Sequence, residues 1–426
     1  MRKSGFVLLA LVSVVLISFC VALSGVHAQS TPVDDWVMFM HDTNHTGFTT
    51  SSAPVLTQAH WQYGTGGNIE SSPALVGGFV YVGSEDDNVY CLNATNGARI
   101  WSYNTGGEVD SSPAVVNGYV YIGSDDDNVY CLSASSGSVI WTHTTGNAIG
   151  FSSPAVVNGY VYIGSSDNDV YCLSASTGAV VWSYATGAAV ESSPAVANGY
   201  VYIGSDDNNL YCLNATNGSL VWSVVTQKPV LSSPAVANGY VYIGSGNNDV
   251  YCYNATTGGT PVWSYATGGG IDSSPAVAYG YVYIGSTDDD IYCINATSGA
   301  AVWSYTTGDS VESSPAVASG FVYMGSDDNS MYCLSAYTGV VQWSYGTGNS
   351  VVCGAAVANG VLVFTSNDNN VYAFGANLIS SQPTILGIPE TTFIIIVVVI
   401  ILAIVALAVY FFVFRRPRRA ERQGQM

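Results

Sequence analysis

The chain has 426 residues, with 9 Lys+Arg against 29 Asp+Glu. Seven of the nine cations lie in the first three residues and the last dozen, so the body between them holds Arg99 and Lys228 against 28 carboxylates. A surface of that sign repels nucleic acid, anionic lipid and polyanions, and leaves cations, cationic proteins and neutral glycans as partners.

The first 28 residues read as a secretory signal peptide. Arg2 and Lys3 precede an apolar run, and small residues before Gln29 offer a cleavage site. Residues 29–60 form an N-terminal strap that includes "DDWVMFMHDTNHTG". Near the other end, "FIIIVVVIILAIVALAVYFFVF" at residues 393–414 is long enough to span a bilayer as a helix. The basic residues 415–426 follow, so the positive-inside bias makes them a cytoplasmic tail. Residues 376–392 are then a short tether. The body is expected outside the cell, held at the cell membrane by a single C-terminal pass.

Between strap and tether the chain repeats. Trp61, Trp101, Trp141, Trp182, Trp222, Trp263, Trp303 and Trp343 recur every 40 or 41 residues. Such a period marks a solenoid, an array or a propeller. Each unit holds four short runs rich in Val, Tyr and Ile, as in "SSPAVV", "GYVYIGS", "NVYCLSA" and "SVIWTHTTG". Turn words separate them, so four antiparallel strands per unit are expected. That is a propeller blade. Trp61 has no first three strands before it, and after Trp343 three strands come with no fourth. Joining the ends gives an all-β, eight-bladed β-propeller over residues 61–375, with no free sheet edge left by the closure.

The words "ASTGAVVW" at residues 175–182 and "NATNGSLVW" at residues 214–222 resemble the tryptophan-docking repeat of the PQQ-like (quinoprotein-type) β-propeller family. So do the "GSDD" hairpins and the strap. The resemblance covers residues 36–375 and implies tryptophans packed between neighbouring blades. Where the family usually has Asp before the turn, this chain has Asn93, Ser133, Ser174, Asn214, Asn254, Asn295 or Ser335. The family contains quinoprotein dehydrogenases and catalytically silent propellers. The enzymes imply a tricarboxylate quinone (PQQ), a cation such as calcium, and a catalytic carboxylate over the axis. A tricarboxylate wants Arg or Lys partners, and Arg99 and Lys228 lie on different blades. No Ser-His-Asp grouping can be argued from His41, His45, His60 and His143. The expected cofactor set is therefore none, with calcium left open.

Cys91, Cys131, Cys172, Cys212, Cys252, Cys293 and Cys333 share one place in the third strand, where the last blade has Ala373. Equivalent sites on adjacent blades lie about 10 Å apart, too far for a disulfide. Buried free thiols are expected.

The second hairpin of each unit carries an acidic word: "SEDDN", "SDDDN", "SSDND", "SDDNN", "SGNND", "STDDD", "SDDNS" and "SNDNN". Two readings stand. Asp and Asn suit tight turns. Alternatively Asp86, Asp87, Asp125, Asp126, Asp127, Asp288, Asp289 and Asp290 form a cation-seeking face. Loops bearing Glu70, Glu108, Asp110, Glu191, Asp272, Asp309 and Glu312 share that side. On the opposite side lie N-glycosylation sequons at Asn93, Asn214, Asn217, Asn254 and Asn295, with Asn44 in the strap; turn preference is the competing reading. The expected function is a non-enzymatic, cell-surface binding or scaffolding module for protein, glycan or cation ligands. The alternatives are a quinoprotein-type oxidoreductase and a structural component of a cell-surface layer.

Overall fold

A computed structural model describes residues 34–54 and 58–375. A separate paired segment is formed by Thr384–Ile385 and Ile388–Pro389. The signal peptide, the apolar run at 393–414 and the basic tail lie outside the described residues.

Eight sheets of four antiparallel strands build a closed propeller. In the first blade, from the axis outward, the strands are Ala74–Val76, Phe79–Ser84, Asn88–Asn93 and Arg99–Asn104. The inner strands are apolar on both faces because each blade is sandwiched between two others. The outermost strand alternates, with Trp101 inward and its flanking residues exposed. The last blade takes its fourth strand from the N-terminal side. Trp61–Gly64 pairs antiparallel with Asn370–Gly375, in register Trp61↔Ala373. The ring therefore closes as the repeat count predicts.

The repeated residues are the seams between blades. Trp61 donates its indole N–H to the Ala94 carbonyl of the next blade at 2.9 Å. The same bond recurs from Trp101 to Ala134, Trp141 to Ala175, Trp182 to Ala215, Trp222 to Ala255, Trp263 to Ala296 and Trp303 to Ala336. Trp343 stacks on Phe374 with ring centroids 5.6 Å apart. The turn glycine beneath each of the other seven tryptophans is required twice over. Gly97 has φ +71°, and a Cβ there would lie 2.7 Å from the Trp61 ring. Cys91 pairs across the sheet with Tyr81 and Trp101. All eight cysteines among the described residues are buried and free, and burial pushes the seven in third strands up to about 12.

The strap does not lie across a face; it fills the axis. It winds round inside the ring in blade order, accepting backbone N–H bonds from the first strands. Leu75, Val115, Val196, Val236, Val277 and Val317 donate to Trp36, Val37, Thr43, Asn44, Thr46 and Gly47 at 2.6–2.9 Å. Phe48–Thr49 adds a short parallel strand to the seventh blade. Trp36, Met38 and Met40 are buried among the blades. Asp42 holds the turn of "DTNHTG" by accepting from Asn44 N, Thr46 N and Thr46 Oγ1. His45 is buried there, and desolvation pushes its imidazole down to about 4.

Candidate functional site

The serine word "SSP" builds the throat of the axis. The first serine of a blade accepts the N–H of a second-strand glycine, as Ser71 does from Gly83. It also ties the blade to the next one: Ser71 Oγ donates to the Ser111 carbonyl at 2.9 Å. The second serine makes a ring. Ser72 N donates to Ser112 Oγ, Ser112 N to Ser153, Ser153 N to Ser193, Ser193 N to Ser233, Ser233 N to Ser274, and Ser274 N to Ser314, at 2.9–3.1 Å. Gly354 N closes back on Ser72 Oγ. One serine from each of seven blades thus satisfies the backbone at the crowded axis, and the last blade, with Gly354 at that place, only donates.

Above this ring the residue before each "SSP" faces the axis. Glu70, Asp110, Glu191, Asp272 and Glu312 provide carboxylates, while Phe151, Leu231 and Val352 provide apolar sectors. Phe39 of the strap and Cys353 also line the space, which has a volume of about 250 Å³. The result is a funnel that opens on the face of the acidic hairpins and is floored by the strap.

The funnel carboxylates repel one another. Burial, then Glu70, Asp125, Glu85 and Glu108, push Asp110 up to about 8. Burial, then Asp327, Asp272, Glu70 and Asp309, push Glu312 up to about 7. Glu191 and Asp272 are also raised, chiefly by burial. Asp110 Oδ1 is buried with no hydrogen-bond partner among the described residues.

The acidic words divide into positions with different work. The first position reaches toward the axis: Glu85, Asp125, Asp206 and Asp327 are all raised, by burial first and then, in each case, by neighbouring carboxylates. The second is tied to its own third strand and to the loop arriving from the preceding blade. Asp86 accepts from Gly66 N, Tyr90 O–H and Asn88 N at 2.6, 2.6 and 3.1 Å. Asp126 and Asp288 accept equivalent bonds from Tyr130 and Tyr292. The third position is a left-handed turn residue: Asp87, Asp127 and Asp289 have φ 67°, 69° and 72°. Asp290 begins a third strand and accepts from Thr306. Of the eight hairpin carboxylates singled out from the sequence, Asp125 alone joins a convergent group, with ligand atoms of Glu108, Asp110 and Asp125 within 4.8 Å of one another. The axial carboxylates and the serine ring were legible as an acidic loop and a repeated word. Their convergence needed the ring geometry.

On the opposite face, Asn93, Asn214, Asn254 and Asn295 each cap their own turn, with Oδ1 accepting backbone N–H groups two and three residues on. Asn217 accepts from Ser219 N. Asn44 lies in the strap inside the ring and accepts from Val236 N through its carbonyl.

The family model described as outer membrane protein assembly factor BamB matches residues 55–193, 166–268 and 246–378. The chain belongs to that family of PQQ-type propeller repeats. Among solved structures, BamB from Moraxella catarrhalis is 18% identical with a TM-score of 0.65, covering 75% of this chain and 98% of that one. A quinohemoprotein alcohol dehydrogenase from Comamonas testosteroni is 14% identical with a TM-score of 0.71, covering 84% and 83%. A europium-containing methanol dehydrogenase is 15% identical with a TM-score of 0.67, covering 81% and 89%. No curated protein matches. At these identities the likeness is one of fold, shared by an assembly factor and by dehydrogenases.

Proposed function

We propose that this propeller is a tethered, extracellular binding scaffold whose acidic face, centred on the axial funnel, receives cationic or hydroxyl-rich partners. The observation that carries this reading is positional. All 24 carboxylates of residues 61–375 lie in the loops and hairpins of the funnel face or on the first residue of the third strand that leaves it, and five of them converge on the axis. The chain leaves the propeller after Gly375, at the end of a third strand and so on the opposite face.

A quinone tricarboxylate does not fit these residues. The funnel is lined by carboxylates and no cation, so three like charges would enter without a partner. Arg99 lies on the far side at the start of a fourth strand, and Lys228 is exposed in a rim loop. The non-enzymatic reading rests on that mismatch. An absorbance spectrum of the purified full chain in detergent is expected to show no quinone chromophore, and a stoichiometric one would overturn the reading. Tetralysine, a ligand for the folded state, is expected to raise the melting temperature beyond sodium chloride of equal ionic strength. The increment should vanish in a variant with Glu70→Gln, Asp110→Asn, Glu191→Gln, Asp272→Asn and Glu312→Gln.

One observation favours a second reading, assembly into a surface layer. The residue just before the docking tryptophan is apolar and exposed in six fourth strands, at Ile100, Ile140, Val181, Val221, Val262 and Val302. These are unpaired sheet edges. Concentration-dependent sedimentation of the full chain tests it: a single monomeric species at all concentrations would exclude self-assembly through these edges.

A further inference from the structure

Acidic residues alone would point to any cation, but the wall beneath them has a different chemistry. Ser72, Ser112, Ser193, Ser233, Ser274 and Ser314 line the funnel and are only 2–7% exposed. Each oxygen accepts one backbone N–H from a neighbouring blade. None of the six hydroxyls donates to an acceptor among the described residues. A buried hydroxyl proton without an acceptor is unfavourable, so this ring asks for ligand oxygens. The carboxylates above it ask for donors. Phe39 in the floor and Phe151 in the wall, 49% exposed, supply apolar surface.

A bare metal ion answers only part of that set. It brings no acceptor for the hydroxyls, and the five axial carboxylates do not converge as metal ligands. The group that does converge shares only Asp110 with the axial five, joining it to Glu108 and Asp125. A polyamine has donors and no acceptors. A saccharide has both, in hydroxyls that donate and accept and ether oxygens that accept, and its C–H face packs on phenyl rings. Pockets for drug-sized ligands run to about 300–1,000 Å³. The volume of about 250 Å³ here admits one small ring entering end-on. An acidic sugar is repelled, whereas an amino sugar is drawn in.

Building on the funnel as the binding site, we propose that it takes the terminal unit of an amine-bearing saccharide, held by the serine hydroxyls through its oxygens and by the carboxylates through its hydroxyl and ammonium hydrogens. Calorimetric titration of the full chain in detergent with tetra-glucosamine, its fully N-acetylated counterpart and tetralysine tests this at matched ionic strength. Tetra-glucosamine is expected to bind about tenfold more tightly than the acetylated form, the effect of one charge-assisted bond. Ser193→Ala with Ser233→Ala is expected to weaken tetra-glucosamine about tenfold and leave tetralysine unchanged. Because those changes strip backbone partners, Phe39→Leu provides a second variant outside the serine ring, with the same expected split. Tetralysine binding without tetra-glucosamine binding, or identical responses of the two in every variant, would overturn the saccharide and leave the cationic scaffold standing. Equal affinity for the acetylated form would overturn the amine. Loss of all three would overturn the scaffold reading itself.

Discussion

The two faces of this propeller are made by the same strands and the same kinds of turn, yet one carries every blade carboxylate and the other none. On the uncharged face, the turn between first and second strands uses a left-handed residue followed by glycine, as at Asn117 and Gly118 with φ 53° and 82°. On the acidic face the left-handed position is Asp in three hairpins and Asn in five, at φ 67–78° throughout. Since Asn serves equally, turn geometry does not explain the charge there. The comparison teaches that the acidic words are composite. One position is conformational, one ties the hairpin to its own third strand and to the loop from the preceding blade, and one projects charge to the axis.

The strongest way to break the picture is at the closure, which both faces share. Removing Trp61–Gly64 strips the last blade of its fourth strand and the first blade of its docking tryptophan. The expected result is loss of cooperative melting together with aggregation, read by thermal scans and size-exclusion chromatography. A truncated chain that melts like the parent would refute an end-to-end seam.

Next in size is a matched pair of glycine changes on the uncharged face. Gly97 and Gly118 both have left-handed backbones, but a Cβ at Gly97 meets the Trp61 ring and one at Gly118 meets nothing within 4 Å. Gly118→Ala should cost about 1–2 kcal/mol for the backbone alone. Gly97→Ala should cost about 1–3 kcal/mol more, for overpacking the seam. Chemical denaturation separates them, and equal losses would mean that the tryptophan seam contributes nothing at that site.

Much of this was legible before the structure. The tryptophan spacing carries the blade count because one docking residue per blade must recur at the blade's length. The missing strand types at the two ends carry the closure. Two things were not legible. The strap's place inside the ring was one, because its apolar residues, Trp36, Met38 and Met40, have no period that says what they pack against. The serine ring reads as a strand leader because its partners lie 40 or 41 residues away, on the next blade.

A third expectation concerns the acidic face alone. Asp110 is raised from 3.8 to about 8 and Glu312 from 4.5 to about 7. Between their unfolded and folded values the folded chain holds protons that the unfolded chain has released. Their contribution to stability therefore falls as pH rises from about 4 to about 8, the reverse of a salt-bridged carboxylate. Buried His45, pushed down to about 4, works the other way below about pH 6.5. Melting temperature measured over the upper part of that window, between about pH 6.5 and 8, should decline. Asp110→Asn should flatten the upper part and stabilise the chain at pH 8 by on the order of 1 kcal/mol. A parent whose melting temperature climbs between pH 6.5 and 8, above the range in which His45 contributes, would show that the axial carboxylates are paired with something cationic.

The remaining effects dissect two acidic words, those of the fourth and second blades, and test the division by position directly. Asp207 occupies the second position. Burial opposes its ionisation, but bonds from Tyr211, Gly187 and Asn209 outweigh that and hold its carboxyl below the usual range. Asp207→Asn places an amide N–H where Gly187 N donates at 2.7 Å, so about 1–3 kcal/mol should be lost. The fifth blade shows how Asn is tolerated there. Asn247 donates to the Thr226 carbonyl instead, and Gln227 stands where the other blades have glycine. Both positions changed together, which is why the single exchange in another blade should fail. Asp127→Asn, at the left-handed position, should stay within about 0.5 kcal/mol of the parent. Asp125→Asn relieves repulsion at the axis and should be neutral or slightly stabilising. Calcium present at its dissociation constant adds only about 0.4 kcal/mol. Any such increment over matched sodium chloride should therefore disappear with Asp125→Asn, which removes a member of the Glu108, Asp110 and Asp125 group, and survive Asp127→Asn. If Asp127→Asn removes it as well, the words act as undivided charge and the sorting by position is wrong.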